Sequence, residues 1–225
     1  LVGNMIDVAN YFKQKMGDAN FNVGMIGTAP MIKRPDLAFE TLKELVLINP
    51  KYRLRIKSKN PASYNWLWAR TKEREYYTSF YNEVNSSDLR HHVLFDPFGD
   101  DVDSWCQYIG TILSPSDNES FHMATTEGMA SGCVPIVWNR KGSSEIFPTT
   151  VKVNEAKQAA KLIDFYRRST AGKLYKKISK QYIQDNYSRE YISESWIKLI
   201  NEDNTNILEK SSISDTKKAI LFFSI

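Results

Sequence analysis

The sequence is poor in cysteine and has no long apolar run, and each absence excludes a class of protein. Its two cysteines, Cys106 and Cys133, show no Cys-x-x-Cys or Cys/His spacing of a metal site. We therefore expect buried thiols in a reducing, cytoplasmic compartment, and no zinc. No stretch approaches the roughly 18 uninterrupted apolar residues of a spanning helix, and the N-terminus lacks the basic-then-apolar pattern of a signal peptide.

The chain also has no strong excess of charge of either sign. Its formal net charge is +4, with 42% hydrophobic and 25% charged residues, which is ordinary for a globular protein. So mild a positive excess fits an anionic small ligand or an anionic membrane surface. It is too diffuse to predict nucleic-acid binding. Peripheral association with the inner face of a membrane stays open.

Short apolar runs alternate with amphipathic segments along most of the chain. The run "FNVGMIG" at 21–27 predicts a buried parallel strand, and a helix should follow from Pro35 to the stop at Asn49-Pro50. Further strands are expected at 52–57, "HVLF", "TILSP" and "CVPIVW", separated by helices at 63–84, "DVDSWCQYI" and 120–131. The later segments "AKQAAKLIDFY" and "YISESWIKLI" predict amphipathic helices.

This alternation predicts an α/β fold, a doubly wound, Rossmann-like parallel sheet with C-terminal helices. We expect residues 1–20 to be the end of a preceding domain or an interdomain linker, because they form no unit of their own and residue 1 is Leu. Residues 21–203 form the predicted domain, and 204–225 a tail or the start of a further segment. Ligands of such sheets bind beyond the carboxyl ends of the strands, near helix N-termini.

One stretch, "SDNESFHMATTEGMASGCVP" at 116–135, carries two carboxylates on a segment of otherwise small residues. Ser120 is a plausible N-cap of the helix, whose first backbone N–H groups would form an anion site. Glu127 lies seven residues later, close to two turns, so it shares a face with the helix mouth and Glu119. A sugar nucleotide would fit both features, because its phosphates could bind the anion site and its hydroxyl groups could donate to the carboxylates. The alternative for Glu127 is an ion pair with a nearby lysine or arginine.

The same stretch resembles the signature of retaining glycosyltransferases of the GT-B fold, family four or glycosyltransferase group 1. Its two glutamates are separated by seven residues, as in that signature, and the resemblance extends from about Asn22 through "WNRKGSSEIFP" to the C-terminal helices. It matches the C-terminal, donor-binding domain of such enzymes. It implies transfer of a hexosyl or similar group from a nucleotide-diphosphate sugar to a saccharide or lipid-linked acceptor in polysaccharide biosynthesis. An N-terminal half would hold the acceptor, so we expect this chain alone to be inactive.

The resemblance also implies roles for individual positions. Glu119 corresponds to the residue that approaches the donor sugar and Glu127 to the one that binds the ribose hydroxyls. Lys33 corresponds to a lysine that binds the diphosphate, and with Glu119 it is a candidate catalytic residue. The remaining donor-binding candidates are Thr28, which stands where family members often have arginine, and four residues at the helix mouth: Ser120, Phe121, His122 and Met123.

Several of these residues have simpler explanations that stay open. For Lys33 the alternative to diphosphate binding is a solvated loop cation, and His122 is equally consistent with a structural histidine and with a sugar contact. Part of the phosphate-binding role is expected from Arg34 or Lys57, since Thr28 has no charge. Phe98, in "FDPFG", is a candidate for binding the base, although a turn explains the same stretch.

Neither a metal nor another cofactor is expected. Asp101-Val-Asp103 resembles the metal-binding Asp-x-Asp of the other main glycosyltransferase fold, but acidic residues in a first helical turn favour the helix dipole without a metal. Two alternatives to the transferase remain. One is a sugar-nucleotide epimerase, and the other is a non-catalytic module that binds nucleotide sugars.

Overall fold

The computed structural model describes residues 4–201. The predicted tail at 204–225 lies outside the described residues. Within them, six strands form one all-parallel sheet with the order β3-β2-β1-β4-β5-β6. The strands are β1 Asn22–Ile26, β2 Arg53–Lys57, β3 Val93–Asp96, β4 Thr111–Ser114, β5 Val134–Trp138 and β6 Lys152–Val153. The predicted fold class is confirmed. Of the six strands, only the short β6 was not predicted.

Helices connect the strands and complete the domain. The α-helices of the described residues are α1 Val8–Tyr11, α2 Pro35–Ile48, α3 Asn65–Trp68, α4 Thr71–Ser86, α5 Val102–Trp105, α6 Met123–Ala130, α7 Ser143–Ile146, α8 Ala156–Arg168, α9 Thr170–Tyr187 and α10 Arg189–Asn201. The connections from β1 to β2 and from β4 to β5 run toward opposite edges of the sheet, so right-handed crossovers place their helices, α2 and α6, on opposite faces. On one face α2 packs against α8, and on the other α6 packs against α9.

Two predicted helices differ from the observed ones. The single helix expected at 63–84 is two helices, because Arg70 has an extended backbone with ψ of 115° that ends α3 and precedes α4. The helix expected in "DVDSWCQYI" ends at Trp105 and continues only as a 3-10 turn at Cys106–Tyr108. Among the described helices, none combines the length and the apolar composition needed to cross a membrane.

Strands β4 and β5 are buried along their whole length, as expected for a parallel sheet covered on both faces. Pro135 is tolerated inside β5 because of its register. Val134 donates its N–H toward β4, to the carbonyl oxygen of Gly110 at 2.9 Å, so the next residue faces β6. Strand β6 pairs only with Val137 and Trp138, and the missing N–H of Pro135 therefore interrupts no bond of that ladder.

Helix α6 lies unusually close to β4. A Cβ atom added to Gly128 would stand 2.8 Å from Cγ2 of Ile112, so only glycine permits this approach. The strand order reverses between β1 and β4, and the loops that leave their carboxyl ends diverge around a crevice. The N-terminus of α6 is thereby held at the place where this fold binds its ligands.

Candidate functional site

Three loops at the carboxyl edge of the sheet bring polar side chains together. The loop after β1 carries Lys33, the loop after β4 carries Glu119 and His122, and Arg140 follows β5. Because β1, β4 and β5 are neighbours, these loops surround the point where the strand order reverses. Four of the charged or titratable side chains of the region therefore share one site.

An ion pair joins the first two loops across the crevice. The Lys33 ammonium donates to Oε1 of Glu119, and only 23% and 11% of the two side chains is exposed. The Ser116 hydroxyl donates to the same carboxylate oxygen at 2.9 Å, and the Asp117 N–H donates to the carbonyl oxygen of Ile32 at 2.8 Å. Lys33 is thus half-buried against a carboxylate and is not a freely solvated loop cation.

The surroundings keep Glu119 ionised. Burial alone would raise the pKa of this carboxyl group, but His122, the Lys33 ammonium and the Ser116 hydroxyl outweigh it, so that the pKa lies below its usual range. A fixed carboxylate beside a cation can accept hydrogen bonds from hydroxyl groups of a ligand. The cation can at the same time attract a phosphate.

His122 is buried at the start of α6, with 7% of its surface exposed. Its Nδ1 lies 2.5 Å from the Ser114 hydroxyl oxygen and 3.0 Å from that of Thr125, and its Nε2 lies 3.7 Å from Glu119 Oε1. Burial, helped by Lys33 and Arg140 and opposed by Glu119, lowers the pKa of His122 to about 4. The imidazole is therefore neutral at pH 7.

The prediction that Ser120 caps this helix is wrong. The cap is His122, whose backbone is left-handed with φ of 56°, and its carbonyl oxygen accepts from the Thr125 N–H at 3.0 Å. The loop thus continues two residues beyond Ser120 before the chain becomes helical. Ser120 is exposed, Met123 is 36% exposed, and the Phe121 ring packs edge-on against Tyr187 with 4.8 Å between centroids. Their roles in donor binding stay predictions.

Glu127 forms no ion pair with the described residues. It lies half-buried on α6, which packs against α1, the helix that carries Tyr11. Burial raises the pKa of Glu127, and the Tyr11 hydroxyl only partly opposes this effect. The alternative of an ion pair is therefore not the arrangement seen, and the assignment to ribose stays a prediction.

Thr28 is enclosed by the protein. It is 1% exposed, its hydroxyl oxygen lies 2.9 Å from that of Ser58, and its carbonyl oxygen accepts from the Tyr77 hydroxyl at 2.6 Å. Gly27 before it has φ of 76°, which turns the chain at the end of β1. The Thr28 side chain thus fixes the loop that carries Lys33, and its own part in donor binding stays a prediction.

Arg34 and Lys57 were the expected replacements for the arginine that family members often have at the position of Thr28, and both form ion pairs with aspartates. Arg34 binds Asp36 through Nε and Nη2 and Asp117 through Nη1, the last at 3.0 Å. Lys57 is buried, with its ammonium 2.7 Å from Asp101 Oδ1 and 2.9 Å from the carbonyl oxygen of Pro97. Both therefore stabilise loops at the carboxyl edge of the sheet.

Arg140 is a site residue that the sequence reading missed. It is half-buried, and its Nη1 donates to the carbonyl oxygen of Ser114 at 3.3 Å, at the end of β4. Burial lowers the pKa of its guanidinium, and Glu119 opposes this effect. The signal was a basic residue two positions after the buried run "VPIVW".

Phe98 and the Asp-x-Asp pair lie apart from this cluster. Phe98 is 60% exposed and follows the edge strand β3, two strands from β1, so its contact with a base stays a prediction. Lys57 pairs with Asp101 and Lys13 with Asp103, and these lysines lower the pKa of each carboxyl group. In residues 4–201, no group of three or more His, Cys, Asp or Glu could hold a metal ion.

The parallel sheet with helices on both faces is the Rossmann-like fold of one half of a GT-B protein. The sequence matches the family described as "Glycosyl transferases group 1" over residues 10–185, and the chain belongs to this family. None of the curated proteins matches the sequence.

Solved structures of several glycosyltransferases resemble the domain. A TarM mutant from S. aureus, in complex with fondaparinux, alpha-GlcNAc-glycerol and UDP, has a TM-score of 0.71 at 16% identity, over 89% of this chain and 39% of that one. HepE from Anabaena, with UDP and glucose, gives 0.72 at 13% identity, over 90% and 56% of the two chains. The chain thus spans less than two thirds of either enzyme.

A third structure is a single domain that matches this chain over almost its own whole length. The C-terminal domain of LpcC, a glycosyl transferase group 1 family protein from Francisella tularensis, gives a TM-score of 0.63 at 15% identity. The match covers 82% of this chain and 99% of that domain. At such low identity, these similarities show a shared fold and no more.

Proposed function

We propose that the chain is the C-terminal, donor-binding domain of a retaining glycosyltransferase that uses a nucleoside-diphosphate sugar. The observation that carries the proposal is the Lys33–Glu119 pair, which bridges the crevice at the reversal of strand order beside the N-terminus of α6. Ligands of open α/β sheets bind at this point. Membership in glycosyltransferase group 1 favours glycosyl transfer over the epimerase alternative.

The cations of the site would stabilise the leaving diphosphate. Negative charge grows on the diphosphate as the bond to the sugar breaks, and fixed positive groups lower the energy of that state. Lys33 and Arg140 supply two such groups, and the N-terminus of α6 supplies a third through its unpaired N–H groups and dipole. This arrangement requires no metal ion in the proposed reaction.

The two glutamates would bind hydroxyl groups of the donor. A phosphate near Lys33 would compete with Glu119 for the ammonium, which leaves the Glu119 carboxylate free to accept from the sugar. Glu127, further along α6, would accept from the ribose. Their proposed task is orientation, because a correctly placed donor reacts without further loss of rotational freedom.

The donor and acceptor are proposed by chemical class. UDP is present in the cited TarM and HepE structures, and UDP-glucose in another HepE structure, which makes uridine diphosphate the first nucleotide to test. We expect a hexosyl donor and a saccharide or lipid-linked acceptor used in polysaccharide synthesis at the cytoplasmic side of a membrane. Another domain would hold the acceptor, so this chain alone would transfer no sugar.

Calorimetric titration with UDP, GDP, ADP and CDP tests the proposal. We expect one of them to bind, and Lys33→Ala to weaken it roughly tenfold to a hundredfold through loss of a charged contact. The variant also leaves the Glu119 carboxylate unpaired, which repels phosphate. Lys43→Ala is the matched control, because Lys43 pairs with Glu40 and Glu83 on the outer surface of α2 and α4. Failure of all four nucleotides to bind, or equal losses in both variants, would contradict the proposal.

A further inference from the structure

The connection from β2 to α4 carries aromatic and basic side chains at the carboxyl edge of the sheet. Four of them, here the aromatic–basic patch, are Lys59, Tyr64, Trp66 and Arg70. Lys59 Nζ lies 5.6 Å from the centroid of the Tyr64 ring, and the centroids of Tyr64 and Trp66 are 6.2 Å apart. Arg70 Cζ lies 5.2 Å from the Trp66 ring centroid. The four side chains therefore form one contiguous group.

The aromatic–basic patch is exposed although its backbone is anchored. Leu67, which follows Trp66 in α3, is fully buried. The Asn60 side chain accepts from the Ala62 N–H at 2.9 Å and caps the 3-10 turn Pro61–Ser63. Trp66 is nevertheless 55% exposed. A large apolar ring held in water by a fixed backbone is typical of a binding surface.

The positive charge of the patch is not neutralised within the described part of the chain. The sequence from Ser58 to Lys72 contains no aspartate or glutamate. In residues 4–201 neither Lys59 nor Arg70 forms an ion pair, whereas Lys57 just before them pairs with Asp101. The two cations of the patch are therefore available to an external anion.

The combination of rings and cations fits the headgroup region of an anionic membrane. Tryptophan and tyrosine are enriched at that depth, and lysine and arginine are attracted to its negative surface. A nucleobase would instead stack on a ring face. A cation already lies over a face of each ring, Lys59 over Tyr64 and Arg70 over Trp66, which favours the lipid surface over stacking.

We propose that the aromatic–basic patch docks the domain on an anionic lipid surface. Two contacts fasten its connection to the loop that carries Lys33: the Thr28 N–H donates to Ser58 Oγ at 3.1 Å, and the Met31 N–H donates to Glu73 Oε2 at 2.8 Å. Docking would thus bring the crevice close to the membrane. Delivery of a lipid-linked acceptor in this way rests on the proposed function, whereas lipid binding itself does not.

Sedimentation with lipid vesicles tests the charges of the patch. The chain should bind vesicles of equal parts phosphatidylcholine and phosphatidylglycerol, and bind those of phosphatidylcholine alone far more weakly. Lys59→Ala/Arg70→Ala should weaken binding roughly thirtyfold, because each cation near an anionic surface contributes about fivefold. Lys157→Ala/Lys161→Ala removes the same charge from exposed positions of α8 and should bind like the wild type. Equal losses in both variants, or no binding by the wild type, would overturn the proposal.

A second set of variants tests the tryptophan. Trp66→Ala should weaken vesicle binding about tenfold through loss of apolar contact. Trp196→Ala, which removes a 44% exposed ring from α10, is the control and should bind like the wild type. Lipids with brominated acyl chains should quench part of the wild-type tryptophan fluorescence, and Trp66→Phe should reduce that quenching. Unchanged quenching in Trp66→Phe, or equal losses in the two alanine variants, would contradict docking through the patch.

Nucleotide titration of the same variants separates this inference from the proposed function. Trp66→Ala should keep the wild-type affinity for the tightest-binding of UDP, GDP, ADP and CDP. If a nucleotide binds and anionic vesicles do not, the docking proposal fails and the donor site stands. If vesicles bind through the patch and none of the four nucleotides does, only the proposed function fails. Displacement of the vesicles by a single-stranded oligonucleotide at equal phosphate concentration would assign the patch to nucleic acid and overturn the docking proposal.

Discussion

At the scale of single residues, the partner of each carboxylate decides what it can do. Glu119 has a cation partner and its pKa lies below the usual range, whereas Glu127 has no cation partner among the described residues, and burial raises its pKa. A half-buried carboxylate without a cation partner is costly for folding alone. A ligand that offers hydroxyl groups would explain why Glu127 occupies this place.

Glu127→Ala should therefore affect binding more than folding. Loss of hydrogen bonds to a charged group should weaken nucleotide binding by about 1.5 to 3 kcal/mol, which is roughly tenfold to a hundredfold. The substitution breaks no ion pair of the described residues, so the melting temperature should change little. Calorimetric titration and a melting curve measure the two effects, with Glu75→Ala, an exposed glutamate of α4, as the control. Unchanged affinity together with a large drop in melting temperature would indicate a structural role instead.

The residues of the site were predictable to unequal degrees. Glu119, Glu127 and Lys33 were singled out as candidates because the local stretches around them resemble the glycosyltransferase signature. Arg140 was missed because its place beside the site comes from a contact between neighbouring strands, its hydrogen bond to the carbonyl oxygen of Ser114 at the end of β4. No local pattern encodes such contacts.

At the scale of elements, His122 determines where α6 begins. Its left-handed backbone and the contacts of its ring with Ser114 and Thr125 end the loop three residues after Glu119. The sequence suggested Ser120 as the cap, since serine is common at that position. Tertiary contacts of the imidazole overrode this local preference. Five of the six strands were located from short apolar or alternating runs, whereas the two-residue β6 has no such run.

Stability should depend on pH through His122. Its pKa is lowered from 6.5 to about 4 in the folded protein, so between these values the unfolded chain binds more protons. Stability should then fall as the pH drops from about 6.5 to 4, by about 3 kcal/mol at most. Glu119, whose folded pKa is also lowered, adds a loss in the acid range below its unfolded pKa.

His122→Asn tests this pH dependence, because asparagine tolerates the left-handed backbone and does not titrate. Urea unfolding curves at several pH values should show a shallower decline between pH 6.5 and 4 in the variant. His91→Asn, on an exposed residue of the 3-10 turn Asp88–His92, is the control and should keep the wild-type slope. Equal slopes in wild type and His122→Asn would refute the assignment.

At the scale of the whole molecule, positive groups lie around the crevice, whereas Asp101 and Asp103 form ion pairs away from it. Lys33, Arg140 and the N-terminus of α6 surround the reversal of strand order. Each of the two aspartates has a lysine partner. In the function that we propose, these fixed cations would bind the diphosphate in place of a bridging metal ion.

Nucleotide binding should therefore not depend on a divalent cation. A nucleoside diphosphate that binds only the folded state raises the melting temperature, and the rise grows with the ratio of its free concentration to its Kd. The rise should be the same in EDTA and in magnesium, because the contacts that we assign to the diphosphate come from Lys33, Arg140 and α6. A rise that vanishes in EDTA, returns with magnesium and is lost in Asp101→Ala/Asp103→Ala would instead assign a metal to that pair, and the role of the crevice cations would have to be reassigned.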